Sequence, residues 1–221
     1  MSRTRLEIQS KEGLKTYNSC DNFIKYMNCK DVTVNESYIY NVLKEYTNQN
    51  YIAINNILRE GNFNYHYPNI KFGKFVLKNN SVTFIVSKAF LNETQRTLSI
   101  YWTYHKMIKS LIFALFGRVY IKELDDIPEN TVVYRGINTK IPSYWKAGDI
   151  IYFPGFISTS LSKEVAESFG PYIFVITLHG KGYKGVERLS YYPSEREVLI
   201  ALYSKYVISK IIGNYCYLDR Y

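Results

Sequence analysis

Along the first half of the chain apolar residues recur three and four positions apart, and along the second they cluster in short runs broken by Gly, Pro and Ser. The first pattern is that of helices with one buried face, the second that of strands. Tyr38, Ile39, Val42, Leu43 and Tyr46 share a helical face. Ahead of them, Thr33-Val34-Asn35-Glu36 has the form of a capping box and predicts the helix start. Asn48-Gln49-Asn50 predicts a break, after which Ile54, Ile57 and Leu58 mark a second helix ended by Gly61. Phe72 to Leu77 and Val82 to Val86 are expected strands, joined through Lys78-Asn79-Asn80-Ser81 in a hairpin. Helical spacing returns from Ser99 to Tyr120, with Trp102, Met107, Leu111, Phe113 and Leu115.

From Thr131 the expected strands are 131–135, 150–153, 156–159, 172–178, 197–202, 206–212 and 215–218. One short helix, 163–169, interrupts them, with Ser162 as its N-cap. Helices first and strands later predict an α+β fold rather than a parallel βαβ sheet. No repeat, low-complexity tract or clear linker divides the 221 residues. One domain over 1–221 is expected, mainly helical to about 120 and mainly β from about 131.

Composition narrows the class. Hydrophobic residues make up 47% and charged residues 21%, which excludes wholesale disorder. Lys and Arg number 28 against 19 Asp and Glu, a net charge of +9 that attracts phosphate-bearing partners without choosing among them. The charges are spread along the chain with no continuous basic stripe, so no nucleic-acid partner is expected. Cys20, Cys29 and Cys216 form no CxxC pair and stand far from His66, His105 and His179, which argues against a zinc site and a disulfide framework. Met1 to Lys11 has no apolar core, so no signal peptide is visible. Ser110 to Gly117, the longest uncharged apolar stretch, is too short to cross a membrane. The expectation is a monomer with no membrane span, acting in a cytoplasm.

Four short signals carry candidate chemistry. Tyr134-Arg135-Gly136 closes an expected strand, where an Arg can aim its planar fork at a phosphate and a Gly lets a flat ligand approach the backbone. In Gly155-Phe156-Ile157-Ser158-Thr159-Ser160, a strand carrying three hydroxyls can turn one inward to orient a polar neighbour. Pro193-Ser194-Glu195-Arg196-Glu197 runs into the apolar stretch Val198-Leu199-Ile200-Ala201-Leu202. In a strand Glu195 and Glu197 would face one side, and two such carboxylates repel unless a cation or ligand lies between them. In the helical half, Tyr46-Thr47 and Tyr51 precede Ile54-Asn55-Asn56-Ile57-Leu58-Arg59, with Asn55 and Arg59 on one helix face. Taken singly, each also fits a structural role: a strand-end Arg, an edge strand, a solvated helix face.

In this order the four resemble the R-S-E class of mono-ADP-ribosyltransferases, and within it bacterial toxins of the clostridial Rho-modifying, binary actin-modifying and vegetative insecticidal types. The resemblance covers about Asn35 to Leu202. It implies an ADP-ribosyltransferase fold, N-terminal helices packed on a core of two mixed or antiparallel β-sheets, with NAD as substrate and no metal. It implies that Arg135 holds the NAD phosphates with Tyr134 beside it, and that Gly136 offers its backbone to the nicotinamide amide. Asn55 and Arg59 would contact the adenosine-phosphate side, and Phe169 would pack near the nicotinamide. Ser158 would orient Glu197, the catalytic glutamate. Leu189 to Ser194, with Tyr191 and Tyr192, would recognise a target protein such as actin or a small GTPase. Residue 195 is Gln in the Asn-modifying exoenzymes and Glu here, which favours an arginine acceptor. Two features depart from the pattern: Gly170-Pro171-Tyr172 stands where the family often carries an Arg, and the 72–86 hairpin has no counterpart.

The residue types suit that chemistry. Breaking the ribose–nicotinamide bond builds positive charge on the ribose, as in glycoside cleavage, and a carboxylate beside it stabilises that charge. A guanidinium acceptor stays protonated in water, so a second carboxylate that orients it and takes its proton is needed, which is the role implied for Glu195. NAD hydrolysis by water, and a catalytically inactive basic binding protein, are the alternatives to transfer.

Overall fold

The computed structural model describes residues 6–10, 13–17, 35–60, 62–63, 67–71, 73–78, 81–86, 106–202 and 204–220. The chain divides into two compact units, Met1–Ser110 and Leu111–Tyr221.

The first unit holds helices α1 (Glu36–Glu45) and α2 (Tyr51–Glu60) and three antiparallel hairpins. These are β1 (Leu6–Ser10) with β2 (Gly13–Tyr17), β3 (Asn62–Phe63) with β4 (Tyr67–Lys71), and β5 (Gly73–Lys78) with β6 (Ser81–Val86). The cap of α1 is Asn35, whose side-chain oxygen accepts from the Tyr38 N–H at 2.8 Å. The start therefore lies two residues past the expected Thr33, which is outside the described residues; Asn caps at least as well as Thr. The expected break at 48–50 is instead a π-helical turn, Tyr46–Asn50, that leads α1 directly into α2. Ile39, Leu43, Tyr46 and Ile54 line the buried side. The hairpin read from 72–86 is present, with Lys78 paired to Ser81. Gly61 and Trp102 fall outside the described residues; α3, 106–115, lies inside the expected 99–120 helix and runs across the boundary of the two units.

The second unit is one eight-stranded sheet. Its strands are β7 (Val132–Ile137), β8 (Ile150–Phe153), β9 (Ile157–Ser160), β10 (Tyr172–Thr177), β11 (Tyr183–Gly185), β12 (Glu197–Ile200), β13 (Ser204–Ile212) and β14 (Tyr215–Arg220). Their order is β11-β12-β9-β7-β10-β14-β13-β8, antiparallel except for β10 beside β14. Between β7 and β9 the recorded pairing is Tyr134 with Ser160 alone. The sheet is in effect two smaller ones, β11-β12-β9 and β7-β10-β14-β13-β8, meeting at one rung.

Side-chain alternation assigns the two faces of β7. Val133 joins the main core with Ile157, Phe174, Ile176, Val198, Ile200 and Tyr206. Burying each such side chain stabilises the unit by about 1.5–3 kcal/mol. Tyr134 points the other way, against Ala166 of α4 (Lys163–Ser168), Ile173 and Val175. Ser162 caps α4 as expected, its Oγ accepting from the Val165 N–H at 3.2 Å. In this unit the short β11 was not anticipated, nor the 3₁₀ turn over Pro193–Glu195, which takes Glu195 off the strand face expected for it.

Candidate active site

β9 and β12 place the Ser-Thr-Ser and Glu-x-Glu segments side by side, with Ser160 opposite Glu197 and Ser158 opposite Leu199. Every hydroxyl of the triplet is used on the partner segment. Ser158 donates to the Glu197 carboxylate. Thr159 Oγ1 donates to the Val198 carbonyl at 2.6 Å, and Ser160 Oγ to the Glu195 carbonyl at 2.7 Å. The resemblance assigns a role to Ser158 only; no sequence signal marks the partners of Thr159 and Ser160, 39 and 35 residues away.

Glu197 is 7% exposed, and burial pushes its carboxyl up to about 7. The charge of Glu195 pushes in the same direction, while the Ser158 hydroxyl and the Arg135 charge pull it down. Burial outweighs the rest, as expected for a carboxylate taken from water into apolar surroundings. Arg135 reaches the same point from β7, its Nη1 donating to the Ser158 carbonyl at 2.7 Å. Arg135, Ser158 and Glu197 therefore converge where the two half-sheets part.

Glu195 is not on β12. It ends the 3₁₀ turn, and Arg196 then adopts a left-handed backbone at φ 46° before the strand begins. The expectation that strand alternation alone puts Glu195 and Glu197 on one side is corrected: a turn, not a pleat, brings Glu195 near enough to bear on Glu197. Half-buried, Glu195 has its own carboxyl raised by desolvation. Before the turn, Leu189 is buried while Tyr191 and Tyr192 stand 46% and 51% exposed. The Tyr192 N–H donates to Ser190 Oγ at 3.0 Å.

Gly136 faces α4. A Cβ there would lie 1.8 Å from the Ala166 carbonyl oxygen, and a Cβ on Gly170 would lie 2.4 Å from the Ile137 carbonyl. These two glycines let α4 and its exit close onto β7 directly after Arg135. Phe169 caps the helix between them, 52% exposed. A side chain at Gly170 would meet backbone; the expected Arg position, two or three residues after Phe169, is taken by Pro171-Tyr172, and nothing in this packing explains that departure.

In the first unit Asn55 is buried, and its Nδ2 donates to the Tyr46 hydroxyl at 3.0 Å. It is not on a solvated helix face. Tyr51 meets Tyr46 edge-on, with ring centroids 6.4 Å apart. Arg59 lies one turn further along α2. Among the described residues no group of three His, Cys, Asp or Glu gathers as a metal site.

The family model described as "ART: NAD:arginine ADP-ribosyltransferase" matches residues 87–214, more than half of the chain. The chain belongs to this family. As a member it is an NAD-dependent ADP-ribosyltransferase, with NAD as substrate. Solved structures share the fold at low identity. The catalytic domain of VahC from Aeromonas hydrophila is 17% identical with a TM-score of 0.56, covering 86% of this chain and 100% of that one. The toxin Plx2a from Paenibacillus larvae is 18% identical with a TM-score of 0.54, covering 90% of each chain. The Vis toxin from Vibrio splendidus is 17% identical with a TM-score of 0.53, covering 90% of this chain and 81% of that one. No curated protein matches the sequence.

Proposed function

We propose that this ADP-ribosyltransferase moves ADP-ribose from NAD to an arginine side chain of a target protein and releases nicotinamide. The observation that carries the reading is the buried Glu197 carboxylate, held by the Ser158 hydroxyl beside the Arg135 guanidinium, with a second carboxylate, Glu195, in its field. A buried anion with fixed donors is organised before the reaction to stabilise positive charge that develops on a ribose. Glu197 faces that charge. Ser158 holds the carboxylate in place, and Arg135 braces Ser158 through its carbonyl while offering a planar cation to the NAD phosphates.

Glu195 stands on the turn next to the exposed Tyr191 and Tyr192, where an incoming guanidinium meets a carboxylate before it meets Glu197. It orients the guanidinium and takes its proton as the new bond forms. Vis has been solved in complex with agmatine, a small guanidine, which supports an arginine-type acceptor on this fold. Phe169, exposed at the end of α4, supplies an aromatic surface for the nicotinamide, with Gly136 and Tyr134 fixing the helix beneath it. Asn55 and Arg59 are assigned to the adenosine-phosphate end on the helix motif alone. A host protein such as actin or a small GTPase is the proposed target, within a cytoplasm.

The test is incubation with adenylate-labelled NAD and either a eukaryotic lysate or agmatine. Labelled protein and labelled agmatine are expected, with the adduct located on arginine by peptide mass spectrometry, and both are expected to disappear with Glu197→Gln. Labelling confined to Asn, Gln or Cys would overturn the arginine assignment. Nicotinamide release without any adduct would reduce the activity to hydrolysis.

A further inference from the structure

Ser160 carries the rung that joins the two half-sheets. Its backbone pairs with Tyr134 on β7 and with Glu197 on β12. The residue is 5% exposed and its hydroxyl is engaged twice: Oγ accepts from the Ser162 N–H at 2.9 Å and donates to the Glu195 carbonyl at 2.7 Å. The next residue repeats the tie, Leu161 N–H donating to the Arg196 carbonyl at 3.2 Å. These bonds clamp the turn that carries Glu195. Arg196, the residue that reverses the chain between Glu195 and β12, has φ 46°, a conformation costly for a side chain with a Cβ. Such a reversal persists only where its surroundings hold it, and Ser160 is the side chain that does so from across the sheet.

We infer that Ser160 is a positioning residue for the acceptor: through the Glu195 carbonyl its hydroxyl sets the turn so that the Glu195 carboxylate meets the incoming guanidinium, while the hydroxyl of Ser158 serves Glu197. This rests on the proposed role of Glu195. The neighbouring hydroxyls of one triplet then divide the reaction, Ser158 acting on NAD cleavage and Ser160 on transfer.

The experiment measures nicotinamide release without acceptor and labelled-agmatine formation on the same preparations of wild type, Ser160→Ala, Glu195→Gln and the double variant. Ser160→Ala is expected to lower transfer about tenfold, the worth of one hydrogen bond of about 1.4 kcal/mol, and to leave hydrolysis within about threefold. In the Glu195→Gln background the same change should add nothing, because the carboxylate it positions is already gone. Ser160→Cys keeps the bulk with a far weaker donor and should behave like the alanine variant, which guards against a folding defect specific to the smaller residue. Equal loss of hydrolysis and transfer, or an additive double variant, would overturn the inference. So would normal transfer by Ser160→Cys. If Glu195→Gln itself transfers normally, the reading of Glu195 falls and the inference falls with it. If only the Ser160 variants transfer normally, the inference falls and the Glu195 reading stands.

Discussion

Burial holds the Glu197 carboxyl protonated up to about pH 7, whereas stabilising a ribose cation requires the ion. The kcat/KM for NAD cleavage is therefore expected to rise with pH through about 7 and to level off above it, since that profile reports the free enzyme. A profile flat from pH 5 to 9 would count against Glu197. The same group makes an opposite prediction for stability. Its folded pKa of about 7 lies above the reference 4.5, so between those values the folded chain holds a proton that the unfolded chain has released. Its contribution is complete below about pH 4.5 and is lost as pH rises through about 7. Glu197→Gln removes the cost of ionising the buried group. The variant should be more stable than wild type at pH 8, by up to about 3 kcal/mol, with the gap closing by pH 5, as read from urea midpoints. Its turnover should fall on the order of 10²–10³-fold. A glutamine variant that is less stable at pH 8 would show that the Ser158 bond outweighs the burial cost.

At the scale of elements, the pair Gly136 and Gly170 fixes where α4 lies, and Gly136→Ala should be costly. The added methyl would meet the Ala166 carbonyl, a backbone atom that cannot rotate away, so helix or strand must shift. A loss of about 1–3 kcal/mol is expected from such overpacking, seen as a lowered melting temperature. NAD should raise the melting point of this variant less than that of wild type, since Phe169 and the chain beyond Arg135 move with the helix. Whatever was local in this region could be read from the sequence. Ser162 as a cap, the short helix after it, and most strands of the second unit follow from spacing and from residues within a turn of one another. What could not be read is set by contacts across the sheet. Glu195 sits on a 3₁₀ turn because Ser160 and Leu161 tie it from another strand. Asn55 is buried because Tyr46, a helical π-turn away, gives it a partner. The Arg135, Ser158 and Glu197 trio was legible only as an ordered set of motifs, since no single spacing joins residues so far apart in the chain.

At the scale of the whole molecule, the net charge of +9 acts on encounter rather than on bond making. A target protein with a net negative surface is drawn toward the enzyme, whereas a small guanidine, itself a cation, is repelled by the same field. Salt should then move the two reactions in different directions. Raising ionic strength from about 0.05 to 0.5 M shortens the screening length from about 13 Å to about 4 Å and removes most long-range steering. With NAD held saturating, kcat/KM for an acidic protein target is expected to fall about tenfold or more, within the range that steering contributes. For agmatine it should stay level or rise. Both measurements share the same Glu197, Glu195 and NAD, so any effect of salt on the chemical step must appear in each. A parallel fall would place the salt sensitivity inside the site, at Arg135 in its proposed phosphate-holding role, and would leave the basic surface without a part in choosing the target. Divergence would mean that the charge selects acidic proteins before the proposed acceptor site at Tyr191, Tyr192 and Glu195 selects a side chain.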